Sequence, residues 1–141
     1  MVCSDKWVVQ LVVDQCALHG ITHWVFSPGS RNAPFALSID NHPEMEATVI
    51  VDERSAAFYA LGLAEKAQKP VVLCCTSGSA PANYLPAITE AFYRNIPLLV
   101  VSADRPKAWT DQGDGQTIRQ GNLFHGFVHS TVHLEDAISN D

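Results

Sequence analysis

Two acidic side chains follow a β-branched apolar run at residues 49–51. Asp52 and Glu53 end that run, and an alanine-rich segment with helical spacing comes next. The pattern predicts a buried strand that ends at Val51 and a helix that begins near Glu53. In open α/β sheets, ligands bind outside the carboxyl ends of the strands, where a half-buried carboxylate can meet them. The alternative is that both carboxylates cap the helix and complement its dipole.

Two polar turns could bind an anion. The sequences SPGSR (residues 27–31) and TSGSA (residues 76–80) each follow a short apolar run and precede a predicted helix. Exposed N–H groups at such a position favour anions, and Ser30 and Arg31 add further donors. Neither turn matches the Walker sequence or the dinucleotide-binding G-x-G-x-x-G pattern, so ordinary turns with serine caps remain the alternative.

The arginines are placed at predicted turns and element ends. Four of the five share this placement: Arg31, Arg54, Arg105 and Arg119. The formal net charge is −6, which makes a general nucleic-acid surface improbable. Because arginine suits bidentate recognition of carboxylates and phosphates, the distribution predicts a local site for an anionic small molecule. Solvated surface arginines are the alternative.

Three histidines, His125, His129 and His133, repeat every four residues. On a helix this spacing would place them on one face, as in a metal site. The β-branched Val128 and Thr131 argue against a long helix, and neither a carboxylate nor a cysteine completes the ligand set. We therefore expect no metal site there.

Composition predicts one globular, cytoplasmic domain. The chain has 141 residues, of which 47% are hydrophobic and 17% are charged. Its four cysteines lack a C-x-x-C spacing, which favours buried, reduced thiols. No apolar run reaches the roughly 18 residues of a membrane span, and the N-terminus does not resemble a signal peptide.

Strands, turns and helices alternate along the chain. The predicted strands are residues 23–26, 46–51, 71–75 and 97–102, with a possible fifth at 131–134. The predicted helices are residues 4–19, 31–40, 53–65 and 82–94, and residues 116–127 form either a helix or a loop. Such alternation is typical of an α/β fold, an open parallel sheet with helices on both faces. Right-handed crossovers then bring the turns that follow the strands to one edge.

Five sequence blocks in this order resemble one enzyme family. They are FSPGSRNAP (26–34), VDERSAAF (51–58), CTSGSA (75–80), ADRP (103–106) and QTIRQ (116–120). Together they closely resemble the 2-succinyl-5-enolpyruvyl-6-hydroxy-3-cyclohexene-1-carboxylate synthases of menaquinone biosynthesis (the MenD family), from about residue 19 to residue 124. Members of that family are much longer. The resemblance implies that residues 1–141 are a single domain of the thiamin diphosphate-binding fold, the N-terminal pyrimidine-binding (PYR) domain of a longer enzyme.

The resemblance also implies an activity. It is that of a cytoplasmic transferase dependent on thiamin diphosphate and on magnesium or manganese. The enzyme would decarboxylate 2-oxoglutarate and add the succinyl carbanion equivalent to isochorismate. In this superfamily the cofactor lies between the PYR domain of one subunit and the diphosphate-binding domain of another, which implies a homodimer or homotetramer. The diphosphate-binding domain carries the Mg²⁺ ligands and is absent here, so the isolated chain is expected to be inactive.

The resemblance assigns roles to individual residues. Glu53 corresponds to the catalytic glutamate, whose carboxyl group bonds a pyrimidine nitrogen and favours the imino tautomer that activates the thiazolium carbon. The cofactor-binding residues it implies are Glu53, Thr76, Ser77 and Gly78. The substrate-binding residues it implies are Ser30, Arg31, Arg105 and Gln116.

Two features depart from the resemblance or compete with it. Many members carry Asn before the glutamine, whereas this chain has Gly115, so a side-chain contact from position 115 is in doubt. The Gly-Asp-Gly at residues 113–115 lacks the buried strand that precedes the family's metal motif, and we interpret it as a chance match. Two other functions stay open: a non-catalytic α/β module for an anionic metabolite or protein partner, or the PYR domain of another thiamin enzyme, such as an acetolactate synthase-like protein.

Overall fold

Four parallel strands form one sheet in the computed structural model, which describes residues 4–135. The strands are β1 (His23–Phe26), β2 (Glu46–Val49), β3 (Val71–Cys75) and β4 (Leu98–Ser102). Their spatial order is β2-β1-β3-β4. Every neighbouring pair is parallel, with Phe26 opposite Val49 and Cys75 opposite Ser102. The predicted parallel α/β sheet is therefore confirmed.

Helices cover both faces of this sheet. They are α1 (Trp7–Leu18), α2 (Ala33–Asp40), α3 (Glu53–Ala67), α4 (Ser79–Ala82) and α5 (Leu85–Arg94), with short 3₁₀ turns at Lys107–Trp109 and Gln120–Asn122. Helices α1 and α2 pack with Trp24, Phe26 and Val72 on one face. Helices α3 and α5 pack with Val25 and Leu73 on the other.

The central strand β3 is buried along its whole length, as its continuous apolar sequence predicts. Helix α3 lies against it through residues that recur at helical spacing and are fully inaccessible to solvent: Ala56, Ala57, Ala60 and Ala64. Because these side chains are small, the helix backbone can approach the sheet closely. The three cysteines in residues 4–135 are free and buried, as predicted.

The second predicted strand was wrong in its end and its burial. Strand β2 ends at Val49 rather than Val51, and Val49 and Val51 are 64% and 78% exposed. The reason is topological, since β2 is an edge strand that pairs only with β1. The apolar run at residues 49–51 resembles the sequence of a central strand, but β2 has a neighbouring strand on one side only.

Other boundaries also differ from prediction. Helix α1 begins at Trp7 rather than Ser4, and α2 begins at Ala33, so Arg31 lies in the preceding turn. The helix predicted over residues 82–94 begins at Leu85 as α5, with Pro86 in its first turn, where a missing backbone N–H donor costs no helical hydrogen bond; the separate one-turn helix α4 precedes it and was not predicted. Residues 131–134 form no strand, and their apolar side chains are exposed rather than paired with the sheet. Residues 116–127 are turns apart from the short 3₁₀ segment.

None of the helices formed by residues 4–135 combines the length and the apolar character needed to cross a membrane.

Candidate functional site

A crevice is expected where β1 and β3 lie side by side. The chain leaves β1 toward β2 on one side and leaves β3 toward β4 on the other. Ligands of open α/β sheets bind at such a switch point, outside the carboxyl ends of the strands. The turns 27–31 and 76–80 meet there, because a Cβ atom added to Gly29 would lie only 2.5 Å from the Cβ of Thr76. The two polar turns are thus brought together.

Two buried polar residues fix the turn after β1. The Ser27 N–H donates to the Cys74 carbonyl at 2.9 Å, and the Ser27 hydroxyl donates to the Ile50 carbonyl at 2.9 Å. The Asn32 amide then donates to the Ser27 carbonyl at 2.9 Å. Both side chains are inaccessible to solvent, so these bonds join the ends of three strands. Sequence reasoning missed Asn32, because the helix predicted over residues 31–40 included it, whereas in the structure it is the residue just before α2.

The turn fixed in this way presents Ser30 and Arg31 to solvent. Both residues are exposed, and no hydrogen bond or ion pair from residues 4–135 engages either side chain. Their donors are therefore available to a ligand at the carboxyl edge of the sheet.

Asp52 and Glu53 have different roles at the start of α3. The Asp52 carboxylate accepts a hydrogen bond from the Ser55 N–H at 2.7 Å, so it caps the helix as the alternative interpretation predicted. Glu53 is the first helical residue and is partly buried. Its carboxylate has no hydrogen-bond or ion-pair partner within the described range, 4–135, so it remains available for another interaction.

The Glu53 carboxylate lies near the end of β3. The pKa of the Cys75 thiol is raised to about 12, first by burial and in addition by the negative charge of Glu53. Tyr84, fully buried nearby, also has a pKa raised above its ordinary value, mainly by burial. The buried Cys75 thiol and Tyr84 thus make the end of β3 near Glu53 low in polarity, while Glu53 itself is only partly buried.

The cap at Asp52 predicts a pH-dependent stability. The Ser55 hydrogen bond holds the pKa of Asp52 below its ordinary value of 3.8, so the cap stabilises the fold above that pH and is lost as the pH falls through the folded pKa. Asp52→Ala should therefore lower the thermal unfolding temperature of the full-length protein at pH 7, with the difference from wild type shrinking toward pH 3. The matched Asp52→Asn variant keeps a neutral cap and should show little of this pH dependence. A constant Ala-to-wild-type difference across this pH range would contradict the assignment.

The turn after β3 is closed by residues 116–120. The Gly78 N–H donates to Gln120 Oε1 at 2.8 Å, and the Ser77 hydroxyl donates to the Gln116 carbonyl at 3.0 Å. A Cβ atom at Gly78 would lie 2.6 Å from the Cα of Gln116. Thr76, Ser77 and Gly78 are all buried, and Ser77 and Gly78 lie beneath the 116–120 segment.

Gln120 joins this turn to the end of β4. Its Nε2 donates to the Ala103 carbonyl at 3.0 Å and to the Ser102 hydroxyl at 3.4 Å, while its Oε1 accepts from Gly78. One amide therefore connects three segments that are far apart in sequence. Sequence reasoning placed Gln120 in a family block but gave it no role.

Arg105 leaves β4 beside the same segment. Its Nη2 donates to the Gly115 carbonyl at 3.3 Å, and its guanidinium carbon lies 5.4 Å from the centroid of the Trp109 ring. Position 115 thus acts through its backbone, so the glycine found there loses no contact that Arg105 makes in this structure. Arg105 and Gln116 are thus brought beside the turn after β3, and the turn that carries Ser30 and Arg31 meets that same turn through Gly29 and Thr76, although no contact within residues 4–135 joins Ser30 or Arg31 to Arg105 or Gln116.

The three histidines lie in a different region. His129 packs against Phe92, with ring centroids 5.5 Å apart, and a Cβ atom at Gly121 would lie 3.1 Å from the His133 ring. Among residues 4–135, no three or more histidine, cysteine, aspartate or glutamate side chains are grouped so that they could hold a metal ion.

Comparison with known proteins defines the class. Residues 6–123 match the family described as thiamine pyrophosphate enzyme, N-terminal TPP binding domain, and the chain belongs to that family. In structure it is similar to a benzoylformate decarboxylase from Polynucleobacter necessarius. That likeness has a TM-score of 0.74 and 21% identity, covers 86% of this chain and 23% of the other, and shows the fold alone.

Curated relatives carry one shared name, 2-succinyl-5-enolpyruvyl-6-hydroxy-3-cyclohexene-1-carboxylate synthase. The chain is 54% identical over 127 residues to the protein of that name from Christiangramia forsetii, covering 90% of this chain and 22% of the relative. It is 54% identical over 131 residues to the one from Porphyromonas gingivalis, covering 93% and 23%. The chain thus spans about a quarter of the length of these relatives, and the predicted resemblance is confirmed.

Proposed function

We propose that this chain is the N-terminal PYR domain of a longer 2-succinyl-5-enolpyruvyl-6-hydroxy-3-cyclohexene-1-carboxylate synthase. The full-length protein would decarboxylate 2-oxoglutarate and transfer the remaining four-carbon unit to isochorismate, in the cytoplasm. The observation that carries the proposal is the identity of 45–57% to relatives that share this name, within the same N-terminal quarter. The similarity extends beyond the fold, because two solved structures reach the same fold at only about 20% identity.

The residues present fit one half of a thiamin diphosphate site. The supporting observation is the carboxylate of Glu53, partly buried at the carboxyl edge of the sheet and without a partner in residues 4–135. A ring nitrogen is a suitable partner for such a group. Thr76, Ser77 and Gly78 form the neighbouring wall, and we propose that they contact the same cofactor.

Thiamin diphosphate, when bound, supplies the thiazolium carbon that attacks the 2-oxo acid. The role that we assign to Glu53 is to hold a proton at its carboxyl oxygen for a pyrimidine ring nitrogen. Its place as the first residue of α3 fixes the direction of the side chain, while Asp52 satisfies the helix terminus and leaves Glu53 unoccupied. Because Asp52 caps the helix, the Glu53 carboxylate is not needed for that purpose, which supports a catalytic role for Glu53.

We propose that Ser30, Arg31, Arg105 and Gln116 bind the carboxylates of the substrates. Ser30 and Arg31 are exposed and unengaged in residues 4–135, and Arg105 uses only one of its five side-chain N–H donors in a hydrogen bond, to Gly115. These donors stand at the ligand edge of a chain with a net charge of −6. A local cluster of donors on an acidic protein suits small dicarboxylates better than an extended polyanion.

The rest of the site would come from the longer protein. We propose that its diphosphate-binding domain holds the diphosphate and a divalent metal such as Mg²⁺, and that two or four subunits assemble to bring both halves together. Exposed apolar side chains near Glu53 support such an assembly: Val49, Val51, Phe58 and Tyr59. Burial of these side chains against a partner would remove apolar surface from water.

Activity of the full-length protein tests the proposal directly. With thiamin diphosphate and Mg²⁺, the enzyme should release CO₂ from 2-oxoglutarate and form the adduct when isochorismate is present, as followed by mass spectrometry. Pyruvate serves as the competing donor. A preference for pyruvate, or no reaction with isochorismate, would indicate another thiamin enzyme or a binding module.

The proposed carboxylate contacts predict separable kinetic effects. Arg31→Ala or Arg105→Ala should lower kcat/KM for the substrates by about 10- to 100-fold, because each removes a charge-assisted hydrogen bond. Thiamin diphosphate affinity, measured by calorimetry on the same samples, should stay near wild type. Arg94→Ala at the end of α5 is the matched control, since Arg94 pairs with Glu65 on the surface. An equal loss of cofactor affinity in the Arg31 or Arg105 variant would contradict a substrate role.

A further inference from the structure

We propose that Trp109 is a positioning residue that holds the Arg105 guanidinium in the orientation that binds a substrate carboxylate. The inference rests on the proposed function and adds a residue to its substrate site. It begins from one contact, the Trp109 ring whose centroid is 5.4 Å from the Arg105 guanidinium carbon. A guanidinium within about 6 Å of an aromatic centroid is attracted to the face of the ring.

Three groups define the orientation of Arg105. The Trp109 ring faces the guanidinium, the Gly115 carbonyl accepts from Nη2 at 3.3 Å, and Nε is buried without a partner in residues 4–135. Most of the Nη donors are left for a ligand, because arginine has five N–H donors in a rigid fork. The guanidinium is thus held at one edge by the Gly115 carbonyl and at one face by the Trp109 ring, while its other N–H donors remain available.

The chemistry of the support favours an anionic ligand. A carboxylate partner would fix the guanidinium but would also neutralise it and compete with the substrate. An aromatic ring fixes it and leaves the positive charge uncompensated. The nearest acidic residue in sequence, Asp104, is engaged elsewhere, since its carboxylate accepts from the Arg105 backbone N–H at 2.7 Å.

The loop that carries Trp109 has its own internal bonds. The Trp109 backbone N–H donates to the Pro106 carbonyl at 2.9 Å, and the Gln112 side-chain amide donates to the Ala108 carbonyl at 2.8 Å. Arg119 closes the loop by donating to Asp111 from Nε at 2.9 Å and from Nη2 at 2.6 Å. Arg119 is therefore committed to an ion pair, whereas the Arg105 guanidinium has no ion-pair partner in residues 4–135.

The test compares Trp109→Leu and Trp109→Phe in the full-length protein. Leucine keeps an apolar side chain but removes the ring, and it should raise KM for the substrate that Arg105 binds by about threefold to tenfold, with kcat and thiamin diphosphate affinity near wild type. Phenylalanine keeps an aromatic face and should restore most of the wild-type KM. Trp7→Leu, a half-exposed tryptophan on α1, is the matched control and should leave KM unchanged.

A double-mutant cycle separates the possible failures. In an Arg105→Ala background, Trp109→Leu should have no further effect on KM, because the ring acts through the guanidinium. Equal effects of Trp109→Leu in both backgrounds, or a loss of kcat that phenylalanine does not rescue, would overturn the positioning role while the proposed function stands. If Arg105→Ala alone leaves the kinetics unchanged, the proposed substrate role of Arg105 fails, and the role of Trp109 fails with it.

Discussion

Glu53→Gln in the full-length protein should reduce decarboxylation of 2-oxoglutarate by at least about 100-fold, the usual scale for removing a positioned acid or base. The amide has the size of the carboxylic acid but cannot deliver the same proton to a ring nitrogen. The fold should survive, because Asp52 rather than Glu53 accepts the capping hydrogen bond of α3. Single-turnover CO₂ release measures the chemical step, and thermal unfolding checks the fold.

A matched control for this prediction lies on the same helix. Glu65→Gln changes an exposed glutamate that pairs with Arg94, and surface ion pairs contribute little to stability. That variant should turn over at the wild-type rate. Near wild-type turnover in Glu53→Gln would sink the assignment of the catalytic carboxyl, whatever the identity of the substrate.

Gly78→Ala is expected to cause the largest structural loss. Gly78 has φ 81° and ψ −130°, a region that side chains rarely adopt, and residues forced into sparsely populated regions cost about 1–3 kcal/mol. The added Cβ would also lie 2.6 Å from the backbone Cα of Gln116. The 116–120 segment must then move away, with loss of the bond from the Gly78 N–H to Gln120. We expect a clear fall in the unfolding temperature of the full-length protein and in its affinity for thiamin diphosphate.

The control for this substitution should change stability in the opposite direction. Gly62 lies in the middle of α3, and a Cβ atom there would have no atom within 4 Å. Gly62→Ala should therefore stabilise the helix by about 0.5–1 kcal/mol, since alanine loses less backbone entropy than glycine. If both substitutions changed the unfolding temperature in the same direction, the special backbone geometry at Gly78 would not be supported.

Sequence reasoning predicted the centre of the fold better than its periphery. The bounds of β1 and β3 were correct, because central strands are buried on both faces and their sequences are short and continuously apolar. Strand β2 lies at an edge, and most of the apolar run at residues 49–51 that suggests a buried strand follows it. Burial there depends on which strand becomes its neighbour, and that information lies outside the segment itself. The same limitation applies to residues 131–134, whose alternating apolar residues suggest a strand although they pair with no strand in residues 4–135.

The sequence predicts candidate site residues but not the contacts that support them. Turn chemistry and family resemblance single out Glu53, Arg31 and Arg105 as candidates, since each belongs to a short contiguous block. The supporting contacts join residues far apart in sequence, such as Gly78 with Gln120, and the chain between them carries no periodic signal for such pairing. Trp109 likewise lies between the strand predicted over residues 97–102 and residues 116–127, where no element is predicted and local patterns give no indication of tertiary contacts.

The amide of Gln120 has a thermodynamic consequence for the binding of the proposed cofactor and the proposed substrate. It ties the turn at Gly78, next to the proposed cofactor site, to the end of β4, from which Arg105 departs. A substrate that orders the 116–120 segment would thereby also restrict the turn, and less entropy would remain to be lost when the cofactor binds. Such heterotropic coupling is reciprocal, so the cofactor would strengthen substrate binding by the same factor. Whichever of the two binds first, the other would then bind more tightly than it does alone.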